Sequence, residues 1–71
     1  MATWKAGGYV IRLYQTDHLP LHVHVFHDGL EVARYDLEHG QFMEGSNPRH
    51  YGRILRALKK SGLINGEDAD A

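Results

Sequence analysis

Four of the chain's six histidines, His18, His22, His24 and His27, fall within ten consecutive positions. Imidazole titrates near neutral pH and is also a common metal ligand, so this clustering is the first place to look for chemistry. In an extended strand, residues i and i+2 point the same way about 6.5 to 7 Å apart, which sets His22 and His24 side by side. Such a pair can act as general acid and base, with Asp17 orienting one imidazole. It can equally hold zinc or another divalent metal, with His18 or Asp17 as the third ligand. Strict alternation sends His27 to the opposite face unless a bulge intervenes. Polar residues at alternate positions also describe the open face of any antiparallel strand, so solvated histidines fit the same pattern.

A second feature lies further along. Arg49, Arg53, Arg56, Lys59 and Lys60 supply five of the eight cations within twelve residues, and no Asp or Glu occurs from Gly45 to Gly66. On a helix, Arg49, Arg53, Arg56 and Lys60 recur at i, i+4, i+7 and i+11, in a band of roughly 60°. An ordinary solvated helix face interleaves both signs. A rail of one sign suits RNA, another phosphate-bearing partner or an acidic protein. In a cleavage reaction Arg49 and Arg53 would hold phosphate while His22 and His24 share the proton transfers. Glu67, Asp68 and Asp70 follow the rail and could fold back on it.

Several chemistries are absent from the residue types themselves. The chain has 71 residues, a formal net charge of −1 and no cysteine, so disulfides, thiolate zinc sites and cysteine nucleophiles are excluded. There is no glycine-rich phosphate loop and no serine-based triad motif. No apolar run approaches the roughly 20 residues of a membrane span, and no charged-then-apolar leader opens the chain. A cytoplasmic protein is therefore expected.

The elements that must position these groups can be read from periodicity and punctuation. Tyr9 to Tyr14 alternates and is rich in β-branched and aromatic residues, which predicts a first strand. Gln15 to Pro20 has turn composition. Leu21 to His27 predicts a second strand, with Leu21, Val23 and Val25 on one face and His22, His24 and Phe26 on the other. Asp28-Gly29 is a hairpin signal, so Glu31 to Leu37 should return as a third strand, and Phe42 to Glu44 is a candidate fourth. Gly7-Gly8 reads as a bend. Asn47 is a favoured N-cap, Pro48 suits the first helical position, and Ser61-Gly62 ends the helix. Tyr51, Ile54, Leu55 and Leu58 form its core stripe, with the cations nearly opposite. Residues 1–66 then make one α+β domain, a three- or four-stranded, mainly antiparallel sheet with one C-terminal helix packed on a face. Residues 67–71 form a flexible acidic tail. About 60% burial on folding leaves a thin core for a chain this short, and the third strand offers an edge for a homodimer.

The order of these residues resembles a known family. Tyr9-Val10-Ile11-Arg12-Leu13-Tyr14, the run Asp17-His18-Leu19-Pro20-Leu21-His22-Val23-His24-Val25, then Gly29, Ala33, Gly45 and Pro48-Arg49 resemble the small bacterial family catalogued as domain of unknown function 4160. The resemblance covers most of the chain and implies a fold and a site position, but no reaction. The chain departs from that pattern at Leu21, where a second proline is common, at Val23, where an aromatic is common, and in its shorter, more basic helix. A fainter likeness, carried by the histidine strand and by Arg53 to Leu63, is to HicA-type messenger-RNA-cleaving toxins of toxin–antitoxin pairs; their N-terminal helix has no counterpart here.

Overall fold

Five antiparallel strands form one sheet in sequential order: β1 (Ala2–Ala6), β2 (Tyr9–Leu13), β3 (His22–His27), β4 (Leu30–Asp36) and β5 (Gln41–Phe42). The computed structural model describes residues 1–14 and 20–65. Asp17, His18 and the acidic tail expected at 67–71 lie outside the described residues.

The expected three or four strands become five because β1 precedes them. Gly7 and Gly8 are not a mere bend. Both take positive φ, 60° and 84°, as the tight primed hairpin turn requires, and they fold Ala2–Ala6 back on β2 with Ala6 opposite Tyr9 and Ala2 opposite Leu13. Asp28 and Gly29, with φ of 53° and 82°, close the β3–β4 hairpin in the same way. Beyond that hairpin the β3–β4 register shifts between Val25 and Phe26, so that Val25 faces Ala33 while Phe26 faces Glu31. This bulge absorbs Val32.

The third predicted strand does not present a free edge. β5 pairs with Tyr35 and Asp36, and the chain beyond it continues to cover β4. The Met43 and Asn47 amides donate to the Arg34 and Val32 carbonyls, at 2.8 and 2.9 Å. Ser46 Oγ accepts from the Arg34 amide at 3.1 Å and donates to the Arg34 carbonyl at 3.2 Å. The edge strands of the sheet are β1 and the two-residue β5.

One face of the sheet carries the core. Tyr9, Ile11, Val23, Val25, Ala33 and Tyr35 are buried there, against Ile54, Ala57 and Leu58 of α1 (Tyr51–Lys60). Asn47 caps as expected, its side chain accepting from the Arg49 amide at 3.0 Å, but what it caps is a single 3₁₀ turn, Pro48–His50, that leads into α1. At the other end Gly62, φ 81°, donates to the Lys59 carbonyl and Leu63 to that of Leu58, both at 3.0 Å. That pair of bonds satisfies the orphan carbonyls of a helix terminus and returns Leu63 to the core.

Burial on α1 is rotated relative to the expected stripe. Ala57 is buried, whereas Tyr51 and Leu55 are only partly so, and Tyr51 stacks on Phe42 at 3.8 Å. Small as it is, Ala57 lets the helix approach the sheet along that line. At about 100° per residue the cations then lie about 120° from the buried arc, on its flank. Among the described residues no helix is long and apolar enough to cross a membrane.

Candidate functional site

His22 and His24 share a sheet face, with ring centroids 5.1 Å apart. Each has its Nδ1 engaged. His22 Nδ1 donates to the Pro20 carbonyl at 2.7 Å, and His24 Nδ1 bonds Glu31 Oε2 at 2.6 Å, a contact that the bulge at Val25/Phe26 makes possible. Holding Nδ1 in this way fixes the tautomer and leaves Nε2 as the open nitrogen, the arrangement used by both metal ligands and proton-transfer imidazoles. Tyr14 packs edge-on to His24 at 5.0 Å, and the Arg12 guanidinium lies 5.6 Å over the Phe26 ring. Among the described residues no group of three or more His, Cys, Asp and Glu is placed to hold a metal; Asp17 and His18, the expected third ligands, fall outside them.

This face is not the helix face. His22 and His24 alternate with Val23 and Val25, which are fully buried in the core that α1 covers. The sheet therefore separates His22 and His24 from Arg49, Arg53, Arg56 and Lys60, and the expected union of histidine strand and basic helix in one surface does not form. A shallow recess beside His24, about 360 Å³, is lined by Glu31, Arg34 and Glu44 among others, so its charges are mixed.

The histidines that do meet the helix are two others. His27 lies on the core side of β3 and His50 ends the 3₁₀ turn that opens α1, with their rings 5.2 Å apart. Between them sits Tyr9, whose ring is 4.9 Å from that of His27 and whose hydroxyl is 2.7 Å from His50 Nδ1. Tyr9 is 1% exposed, so this hydroxyl belongs to the wall of the core, and its partner among the described residues is the imidazole. His27 Nδ1 donates to the Gly8 carbonyl at 3.1 Å, and its Nε2 is 3.5 Å from Asp28 Oδ2. Partial burial pushes the His50 pKa below the usual histidine value, and the positive fields of His27, Arg53 and Arg49 push it the same way.

Arg53 joins this corner to the rest of the cation rail. With Gly7, Arg56, Ala57 and Lys60 it lines a recess of about 450 Å³ between α1 and the β1–β2 turn. Arg49, Arg53, Arg56 and Lys60 are all exposed. Gly8, next to the recess at Gly7, supplies the carbonyl that holds His27, so recess and histidine corner are neighbours across one turn.

A third cluster is structural. Asp36, 4% exposed, accepts from the amides of Glu38 and His39 at 2.9 and 3.0 Å and from His39 Nδ1 at 2.7 Å. Burial alone would raise the Asp36 pKa, but these bonds outweigh it and hold the carboxyl below its ordinary value. The same bond and the Asp36 charge raise the pKa of His39. Their effect is to lock the β4–β5 turn.

Tyr9, His50 and Glu31 are not singled out by the sequence pattern. Tyr9 and His50 are 41 residues apart and meet only through the docking of α1, while Glu31 reaches His24 only because of the bulge. The available signal was weaker: a histidine beside Arg49, inside the acid-free stretch.

Against this fold and geometry, residues 8–61 match the family described as a domain of unknown function, DUF4160. The chain belongs to that family, and β1 lies ahead of the matched stretch. No curated protein and no solved structure matches the chain, HicA-type toxins included.

Proposed function

We propose that the protein binds single-stranded RNA, or a closely similar phosphate-bearing strand, along the flank of α1. One observation carries this reading: Arg53, Arg56 and Lys60 line a single recess, and the Arg53 charge also acts on His50, so the cations lie along one side of the molecule. Cations interleaved with acids would cancel at this range, as they do beside His24. Here no acidic residue intervenes between Gly45 and Gly66. Phosphate neutralisation is what a track of this kind does best, because each contact releases a counterion. A labelled single-stranded RNA titrated into the protein at about 50 mM salt tests it by fluorescence anisotropy. Binding should be saturable and should weaken about 500-fold in the Arg53→Gln/Arg56→Gln/Lys60→Gln variant. An acidic protein as the true partner would instead leave RNA unbound at this salt.

A second reading concerns the opposite face. The two open Nε2 atoms of His22 and His24, each oriented through Nδ1, favour a divalent metal such as zinc at that pair, completed by Asp17 or His18. Zinc titration at pH 7.5, followed by histidine ring NMR, should move His22 and His24 before His27, His39 and His50. Equal shifts over all histidines would remove this reading.

A further inference from the structure

We infer that Tyr9, His27 and His50 form an acid–base centre that cleaves the bound RNA by attack of its own 2′-hydroxyl on the adjacent phosphorus. The inference rests on the RNA-binding reading and assigns chemistry to the corner where the cation track meets the core. It moves the proton transfers from His22 and His24, which face away from the track, to the two histidines that face it.

The corner has the parts such a reaction needs. Two imidazoles 5.2 Å apart can reach oxygens of one phosphodiester group, and Arg49 and Arg53 lie beside His50 to meet the negative charge that grows on the phosphoryl oxygens. Hydroxyl, imidazole and guanidinium groups supply proton transfer and charge. A nucleophile is already present in RNA as the 2′-hydroxyl, which makes RNA rather than DNA the matching substrate.

The two histidines sit in different surroundings. The Gly8 carbonyl can only accept, so His27 Nδ1 must carry a proton. The Asp28 carboxylate lies 3.5 Å from Nε2, beside the nitrogen that would donate to the leaving oxygen. His50 is held toward the neutral form by burial and by the surrounding His27, Arg53 and Arg49 charges, as suits a base. When Tyr9 Oη accepts from His50 Nδ1–H, the lone pair is placed on Nε2. The same bond is kept after Nε2 takes up a proton. Tyr9 is thus a positioning residue. Different environments around adjacent titratable groups are the usual mark of an acid and base pair.

The step balances without a co-reactant. His50 Nε2 removes the 2′-hydroxyl proton as O2′ bonds to phosphorus. The P–O5′ bond breaks, and the leaving O5′ takes the proton from His27. The products are a 2′,3′-cyclic phosphate and a 5′-hydroxyl end, and proton exchange with water restores both imidazoles.

The test uses the full chain and three probes of one sequence, RNA, 2′-O-methyl RNA and DNA, with a chelator present. All three strands should bind and only RNA should be cut, leaving 2′,3′-cyclic phosphate ends by mass spectrometry. His27→Gln and His50→Gln should each lower cleavage by about 10²- to 10⁴-fold while the RNA Kd changes by less than about threefold. Tyr9→Phe keeps the buried ring, so it should fold and bind but cut more slowly, with the acid limb of its pH–rate profile displaced. Circular dichroism confirms that each variant is folded. RNA that is bound but never cut, or cutting that persists in a folded His27→Gln/His50→Gln double variant, would overturn the centre and leave the binding reading standing. Absence of binding to all three probes at about 50 mM salt would overturn both.

Discussion

Replacing Arg53, Arg56 and Lys60 by glutamine removes three of the four cations of the track and leaves Arg49. Each cation that neutralises a phosphate of a single strand contributes about 0.7 to the slope of log K against log salt. Four contacts therefore predict a slope near −2.8, and the variant should retain about −0.7. Between 50 and 200 mM salt the wild-type affinity should then fall about 50-fold and that of the variant only about threefold. If the two proteins converge near 1 M salt, the variant should be about 500-fold weaker at 50 mM, or about 3.7 kcal/mol. Anisotropy titrations with a short single-stranded RNA at pH 7.5 give these slopes directly. All three side chains are exposed at the rim of the recess, so the fold should be unchanged. A variant that loses affinity equally at every salt concentration, with the slope intact, would mean that the recess does not contact phosphate and would refute the reasoning.

Other expectations follow from packing and titration. Gly52→Ala should raise stability by about 0.5 to 1 kcal/mol in urea melts, since Gly52 is inside α1 with nothing within 4 Å of an added Cβ and alanine is the better helix former. Ile54→Ala, at a residue of zero exposure, should cost about 2 to 5 kcal/mol. That is a large part of the about 4 to 10 kcal/mol expected for a domain of this size, so its melting temperature should fall steeply. The Asp36–His39 pair sets a pH window. Asp36 has a lowered pKa, so its contribution is present above about 3.8 and is lost as pH falls through the folded value. His39 has a raised pKa, so its contribution is complete below about 6.5 and is lost as pH rises through the folded value. The stability gap between wild type and His39→Gln, measured by urea midpoints, should therefore be larger at pH 5.5 than at pH 8.5.

What the sequence made legible was local. β3, its alternation, the Asp28-Gly29 hairpin and the caps at Asn47 and Gly62 all depend on neighbours within a few residues, and each stands where those signals put it. β1 was hidden because Ala2, Lys5 and Ala6 have low strand propensity and because two glycines before a strand are weak punctuation without the strand they turn back. Choosing the large side chains Tyr51 and Leu55 for the core stripe misplaced the helix rotation. The helix instead approaches over Ala57, a choice set by the space above the sheet. The candidate site was the least legible part, since its contacts join Tyr9 to His50 and Gly8 to His27 across the fold. Alternation did assign His27 to the face away from His22 and His24, and that is the face α1 covers.

The sequential strand order also has a consequence for how the chain folds. Every strand pairs with its neighbour in sequence, so the sheet can assemble hairpin by hairpin before α1 docks. Until that helix docks, Tyr9, Ile11, Val23, Val25 and Tyr35 face water with no cover, and a sheet with one bare apolar face is a species that aggregates. During that interval the folding chain is a natural client for a chaperone, and a substitution that delays docking of α1 should lower soluble yield more than one that weakens the outer strand β1.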